Sequence, residues 1–99
     1  FKPVTAGQMA TFDLWAVDND TAGRFRLCLE FYSDTYLSLK KEYSSAYTQD
    51  SADWAQLNYA VAAPDGSAYV RAFVRLYDVV EGWDGDAVVF IDDWSLVVE

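Results

Sequence analysis

The chain has 99 residues, the size of one small domain, and its 16 acidic and 7 basic residues give a formal net charge of −9. This excess of acid argues against nucleic-acid binding and against docking on an anionic membrane, because both need a basic face. The absence of histidine excludes imidazole-based catalysis and histidine-ligated zinc. Hydrophobic residues make up 53% of the chain, which is enough to build a folded core.

Apolar and polar residues alternate along much of the chain, which is the period-two pattern of a half-buried strand. The first predicted strand covers Thr11–Val17 and is followed by turn-forming residues at 18–23. The alternation resumes in a second strand, Arg24–Tyr32, and a shorter third strand is predicted over Leu37–Tyr43. The polar segment 44–53 is predicted to be a loop.

The second half of the chain repeats this alternation. A fourth strand is predicted over Trp54–Ala62, followed by a turn at Pro64–Ser67, where proline presets φ and glycine permits a positive φ. The clearest alternation covers Ala68–Tyr77. After an acidic, glycine-containing loop at 81–86, a final strand, whole or broken, is predicted over Ala87–Val98.

Six short strands separated by turns predict an all-β fold, an antiparallel sandwich or barrel, in a single domain spanning 1–99. Cys28, the only cysteine, lies in an apolar run and is predicted to be an inert thiol that is buried or half-buried. The core is expected to hold the residues that share one face of each strand: Phe12, Leu14, Leu27, Leu29, Phe31, Leu57, Val61, Val70, Val74 and Leu76.

Three parts of the sequence, in this order and at this spacing, carry a family likeness. They are Val4–Gly7 with Thr11–Val17 (T-F-D-L-W-A-V), Asp53–Leu57 with Ala63–Arg71, and Val89–Leu96 (V-F-I-D-D-W-S-L). Together they cover nearly the whole chain, and they resemble the jelly-roll carbohydrate-binding modules found beside glycoside hydrolase domains. The first strand that this family usually carries has no counterpart here, so the chain is expected to be such a module truncated at its N-terminus.

The resemblance implies an antiparallel β-sandwich of jelly-roll type that binds a polysaccharide or oligosaccharide without catalysis. It also implies a secreted or cell-surface location, where the module anchors a linked catalytic domain to its substrate. A missing first strand would leave a sandwich edge uncovered. An uncovered edge favours strand addition, so a homodimer through that edge is a further expectation.

The strand faces opposite the core carry large aromatic rings among charges, a combination that suits sugars. Rings stack on the apolar C–H face of a sugar, and charged or amide groups bind its hydroxyls. In the resembled family this face forms the glycan cleft, and the ring platforms would be Trp15, Phe73 and Tyr77. The polar and accompanying side chains predicted on the same face are Asp13, Glu30, Tyr32, Arg71 and Arg75.

One other interpretation stays open. The charges are also explained as cross-strand ion pairs on a solvated sheet. In that case the domain is a structural or protein-interaction spacer of a multidomain secreted or cell-surface protein. Enzymatic activity is not expected, because Asp92 and Asp93 are adjacent on a predicted strand and should point to opposite faces.

The resemblance further implies a structural calcium ion with Asp92 and Asp93 among its ligands, and oxygen ligands of this kind suit calcium. The acidic segment 78–86 is a weaker alternative site. Trp54 is expected to pack at the edge of the core, and Trp94 is expected to be buried where the family carries an aliphatic residue. Trp83 is expected either to close one end of the sandwich or to reach the ligand.

Overall fold

The computed structural model describes residues 1–18, 23–44, 53–78 and 89–99, and within these ranges the side chains at 18, 23, 24, 76–78 and 89 are not described. The regular elements of the described residues are all β-strands. In chain order they are β1 (Lys2–Pro3), β2 (Met9–Asp18), β3 (Gly23–Tyr32), β4 (Ser38–Tyr43), β5 (Ala55–Ala62), β6 (Tyr69–Asp78) and β7 (Val89–Val98).

The strands form two sheets that pack face to face. The four-stranded sheet has the order β1-β6-β3-β4, and the three-stranded sheet has the order β5-β2-β7. All of these pairings are antiparallel. The chain crosses between the sheets repeatedly, for example from β2 to β3 and from β5 to β6. The prediction of an all-β antiparallel sandwich is therefore confirmed. In the described part of the chain, no helix is long and apolar enough to cross a membrane.

The core lies between the sheets and follows the alternation of the sequence. Burying a large apolar side chain such as Phe31 contributes about 1.5–3 kcal/mol to the free energy of unfolding. Leu76 lies in β6, but its side chain is outside the described residues. The other predicted core residues are confirmed: Phe12, Leu14, Leu27, Leu29, Phe31 and Val70 are buried, and the partly buried Leu57, Val61 and Val74 pack against them.

The predicted turn between β5 and β6 is present. The backbone N–H of Ser67 donates to the carbonyl oxygen of Pro64 at 3.2 Å. Gly66 has a φ of 85°, a left-handed conformation that costs glycine little. The turn therefore carries the chain from the three-stranded sheet to the four-stranded sheet at the position that the Pro–Asp–Gly–Ser sequence predicts.

β1 was not predicted, because two residues carry no measurable periodicity. It pairs with β6 at Lys2↔Val70 and Pro3↔Tyr69. Beyond Val70, no described strand lies on that side of β6. An apolar groove of about 200 Å³ opens there between β6 and the edge strand β7, and it is lined by Phe12, Leu14, Ala72, Phe73, Val74, Ile91 and Trp94.

Trp94 lies in this groove and corrects the expectation that it is buried. It is 63% exposed, and its ring meets Phe12 edge-on at a centroid distance of 6.3 Å. β7 is an edge strand, so its inward-pointing side chains have a neighbouring strand, β2, on one side and no described strand of their sheet on the other. The position is apolar as the sequence suggested, but the sandwich is open at this edge.

Candidate functional site

The residues predicted to share one binding face lie on two opposite faces of the sandwich. Trp15 and Asp13 belong to β2 and point outward from the three-stranded sheet. β3 and β6 belong to the other sheet, so the other predicted residues whose side chains are described point in the opposite direction. Sequence alternation shows that a side chain is on the non-core face of its strand, but not to which sheet the strand belongs. The predicted residues that lie on the outer face of the four-stranded sheet are Glu30, Tyr32, Arg71, Phe73 and Arg75.

Glu30 is the centre of this outer face. Glu30 is only 4% exposed, even though its side chain points away from the core. The Arg71 guanidinium donates to Glu30 Oε1 from Nε at 3.1 Å and from Nη2 at 2.9 Å, and the Tyr32 hydroxyl donates to the same oxygen. Ser38 Oγ donates to Oε2 at 2.7 Å, and Lys41 Nζ lies 3.9 Å from Oε2. Both carboxylate oxygens are therefore used inside the protein.

This environment shifts the pKa values of the groups around Glu30. Burial by itself raises the pKa of Glu30, but the hydrogen bonds from Tyr32, Ser38 and Arg71 outweigh burial and lower it from 4.5 to about 2. The hydrogen bond to Glu30 raises the pKa of Arg71. Burial, followed by the hydrogen bond to Glu30, raises the pKa of Tyr32. Glu30 is thus a charged anchor at neutral pH, and it is unsuited to proton transfer there.

Rings and cations alternate along the same face in cross-strand rows. Cys28 lies between Phe73 on β6 and Tyr43 on β4, and in the adjacent row Arg26 lies directly opposite Arg75. The Arg26 guanidinium is 4.3 Å from the centre of the Tyr43 ring. Arg75 Nη1 donates to the Tyr43 hydroxyl at 3.1 Å. Two arginines therefore meet at one tyrosine.

The structure confirms the prediction that the Cys28 thiol is buried. The residue has no exposed surface, although it points to the outer face. Burial, followed by the nearby charge of Glu30, raises the pKa of the Cys28 thiol to about 11. The thiol is therefore protonated at neutral pH, and protonated thiols are poor nucleophiles.

A cleft of about 190 Å³ lies on the outer face of the three-stranded sheet. It is lined by two indole rings and two carboxylates, those of Trp15, Trp54, Asp92 and Asp93, and we call it the tryptophan cleft. Trp15 is 39% exposed and Trp54 is 49% exposed. Trp54 precedes β5 and lies beside Trp15, whose cross-strand partners are Gln56 and Asp92. The expectation that Trp54 packs against the core is therefore wrong.

A β-bulge brings both aspartates to the cleft. In the pairing of β2 with β7, Asp13 lies opposite Ser95 and Trp15 lies opposite Asp92, so β7 has an extra residue between these pairs. Asp93 has a φ of 50° at this point, and its N–H donates to Asp92 Oδ1 at 2.9 Å. The expectation that Asp92 and Asp93 point to opposite faces fails because the bulge interrupts the alternation.

Further polar groups lie beside the cleft on the same face. Asp13 is the cross-strand partner of Asn58, and the Asn58 amide donates to the Asp13 carboxylate. Gln56 and Asn58 are both exposed, and because they are two residues apart on β5 they share its outer face. The cleft is thus continued by amide groups, which accept and donate hydrogen bonds, and by the Asp13 carboxylate, which accepts them.

The calcium site at Asp92 and Asp93 stays a prediction. Among the described residues, no group of three or more histidine, cysteine, aspartate or glutamate side chains is placed to hold a metal ion. Calcium takes six to eight oxygen ligands, whereas the cleft offers two neighbouring carboxylates between two indole rings. Most of the alternative acidic segment 78–86 lies outside the described residues, as does Trp83.

One predicted ring platform, Tyr77, has no described side chain, and one residue of the outer face, Tyr43, was not predicted. Tyr77 lies in β6 opposite Arg24, but its side chain is outside the described residues. Sequence reasoning missed Tyr43, which lies on β4 and joins Arg26 to Arg75. The signal was weak, because β4 is short and its sequence, S-L-K-K-E-Y, does not alternate between apolar and polar residues.

Comparison with known proteins finds no matching family, no matching curated protein and no matching solved structure. The resemblance to jelly-roll carbohydrate-binding modules therefore rests on the sequence motifs alone.

Proposed function

We propose that the protein is a non-catalytic polysaccharide-binding domain and that the tryptophan cleft is its binding site. The observation that carries this proposal is the shared cleft itself, in which the half-exposed rings of Trp15 and Trp54 lie beside the carboxylates of Asp92 and Asp93. Exposed tryptophans that line a common cleft are more typical of a binding site than of a solvated surface.

The chemistry of the cleft fits a sugar ring. An indole face stacks on the apolar C–H face of a sugar, while carboxylates accept charge-assisted hydrogen bonds from its hydroxyls. Gln56 and Asn58 extend this polar border along β5. The described outward-pointing residues of the three-stranded sheet include no lysine or arginine, so the cleft favours a neutral sugar over an anionic one.

Binding is a better fit to this geometry than hydrolysis. Glycoside hydrolases use two carboxylic groups that flank the scissile bond. Asp92 and Asp93 are successive residues of one strand, and both line one side of a shallow cleft that does not exclude water. The proposal therefore assigns no catalytic step to the domain. A linked catalytic domain, and a secreted or cell-surface setting in which it acts on the bound polysaccharide, belong to the same proposal.

Native affinity gel electrophoresis against a panel of neutral polysaccharides tests the proposal. At least one of them should retard the protein, and Trp15→Ala or Trp54→Ala should weaken retardation at least about tenfold, as loss of an aromatic anchor does. Trp94→Ala is the matched control, because Trp94 is also exposed but lies in the groove at the open edge.

All three variants should fold, because none of the removed rings is fully buried, and their thermal midpoints check this. If no polysaccharide retards the protein, or if Trp94→Ala lowers retardation as much as Trp15→Ala, the proposal is wrong. The first of these results favours the alternative that the domain is a structural or protein-interaction spacer.

A further inference from the structure

We infer that the tryptophan cleft binds a polysaccharide whose sugars carry protonated amines more tightly than a neutral one. The inference rests on the proposed function and names the chemical class of sugar for the same site. Its basis is the combination of two half-exposed indole rings with two carboxylates in one cleft. Both kinds of group attract an ammonium ion, the ring through its face and the carboxylate through charge-assisted hydrogen bonds.

The cations of the chain are confined to one of the two sheets. All seven lysine and arginine residues belong to strands of the four-stranded sheet: Lys2, Arg24, Arg26, Lys40, Lys41, Arg71 and Arg75. The strands of the three-stranded sheet contain no lysine or arginine, and its described outer face carries the carboxylates of Asp13, Asp92 and Asp93. A cationic ligand is therefore attracted to the face that contains the tryptophan cleft.

Lys2 contacts the three-stranded sheet, but it does so away from the cleft. Its Nζ donates to the carbonyl oxygen of Leu96 at 2.7 Å. Leu96 is four residues from Asp92 along β7, and the bulge lies between them. The Lys2 ammonium is therefore held at a backbone oxygen beyond the bulge, so the aspartates of the cleft remain available to a ligand.

The two aspartates of the cleft supply hydrogen-bond acceptors without donors. Asp92 Oδ1 accepts the backbone N–H of Asp93 at 2.9 Å, which orients the Asp92 carboxylate. The bulge places the Asp93 carboxylate in the same cleft. A hydroxyl has one hydrogen to donate, whereas an ammonium group has three and carries the charge opposite to that of the carboxylates. Two neighbouring carboxylates are therefore better matched by an ammonium group than by a hydroxyl.

The indole rings favour a sugar amine over other cations. Trp15 and Trp54 are both half-exposed, so a ligand can cover part of each ring. Tryptophan is the aromatic side chain that attracts a cation most strongly, and its face also stacks on the apolar face of a sugar. An amino sugar makes both contacts from one rigid ring, whereas a lysine side chain brings its ammonium group on a flexible stem.

Isothermal titration calorimetry with two matched oligosaccharides tests the inference. Chitosan oligomers and their fully N-acetylated counterparts have the same length and linkage, but at mildly acidic pH only the chitosan oligomers carry ammonium groups. Chitosan should bind at least about tenfold more tightly, the value of one charge-assisted hydrogen bond. This advantage should shrink when salt is added, because salt screens charges at the surface.

Asp93→Asn removes one carboxylate and keeps the bulge, because asparagine also tolerates a positive φ. It should lower the ratio of chitosan affinity to acetylated-oligomer affinity at least about fivefold. Asp65→Asn is the matched control, because it removes the same charge from an exposed turn. β5 separates this turn from Trp54 by about 23 Å, so the ratio should change less than about twofold.

The inference is overturned if chitosan binds no more tightly than the acetylated oligomers, or if Asp93→Asn and Asp65→Asn lower the ratio equally. It is also overturned if polylysine of equal charge binds as tightly as chitosan, since the cleft would then accept any polycation, including a basic protein segment.

The inference and the proposed function fail in different ways. If the acetylated oligomers bind and Trp15→Ala weakens their binding, while chitosan gains nothing, only the inference is wrong. If neither oligomer binds and no neutral polysaccharide retards the protein, the proposed function is wrong as well.

Discussion

The Glu30 carboxylate and the Arg71 guanidinium form a hydrogen-bonded ion pair across β3 and β6, on the outside of the sandwich. Glu30 Oε1 accepts from Nε at 3.1 Å and from Nη2 at 2.9 Å. The pair is unequal in burial, since the Glu30 side chain is 6% exposed and the Arg71 side chain is 47% exposed. The carboxylate thus behaves as part of the protein interior, while the guanidinium stays available at the surface.

This asymmetry predicts a pH dependence of stability. The folded state lowers the pKa of Glu30 from 4.5 to about 2, so the folded protein holds the carboxylate more strongly in its charged form than the unfolded chain does. The resulting contribution of about 3 kcal/mol is complete above pH 4.5 and is lost as the pH falls towards 2. Urea denaturation of the unchanged protein and of Glu30→Gln should differ by about this amount at pH 7, and the difference should shrink towards pH 2. A difference that stays constant over this range would contradict the assignment.

Chemical modification of Cys28 tests whether its thiol is buried on the outer face of the four-stranded sheet. The raised pKa of about 11, against an ordinary 9.0, lowers the thiolate fraction at pH 8 about a hundredfold, and burial slows access further. Ellman's reagent should therefore react with the folded protein at least about a hundred times more slowly than with the protein in urea. Equal rates in the two states would show that Cys28 is accessible.

The bulge predicts that Asp93 has a conformational role as well as a chemical one. A residue with a side chain costs about 1–2 kcal/mol in the left-handed region, and aspartate is among the residues that tolerate it best. Asp93→Ala should lower the free energy of unfolding by about 1 kcal/mol, whereas Asp93→Gly should leave it nearly unchanged. Thermal or urea denaturation measures both. Equal destabilisation by the two substitutions would mean that the carboxylate, and not the backbone, stabilises the bulge.

The open edge predicts that two aromatic residues differ in their contribution to stability. Phe31 is fully buried, and Phe31→Ala should cost about 3–5 kcal/mol through lost burial and a cavity. Trp94 is 63% exposed and meets Phe12 only edge-on, so Trp94→Ala should cost no more than about 1.5 kcal/mol. Urea denaturation of the two variants checks the order. A larger loss for Trp94→Ala would mean that the edge is covered in solution.

The sequence was sufficient for the strands and the core, because alternation is a local property. Phe12, Leu14 and Phe31 could be assigned to the interior from their neighbours alone. Alternation does not show which strands share a sheet, and for that reason Trp15 was grouped with Arg71 although the two lie on opposite faces. That assignment depends on long-range pairing, such as Trp15 with Gln56 and Asp92.

The tryptophan cleft was hidden for a second, local reason. The segment containing Asp92, Asp93 and Trp94 was interpreted as regular alternation, whereas the structure has an extra residue at this point and a positive φ at Asp93. A bulge of this kind shifts every later side chain by one position relative to the partner strand. Neither the gathering of the two aspartates in one cleft nor the exposure of Trp54 beside them follows from composition or spacing.

The proposed function requires Trp15 and Trp54 to bind a neutral polysaccharide together. Nuclear magnetic resonance of ¹⁵N-labelled protein tests this requirement by following the indole N–H signals during titration with neutral oligosaccharides, with signals assigned through single Trp→Phe variants. The Trp15 and Trp54 signals should shift together with one binding constant while the Trp94 signal stays in place. If no neutral oligosaccharide moves the Trp15 and Trp54 signals, or if the Trp94 signal moves with them, the tryptophan cleft is not the binding site.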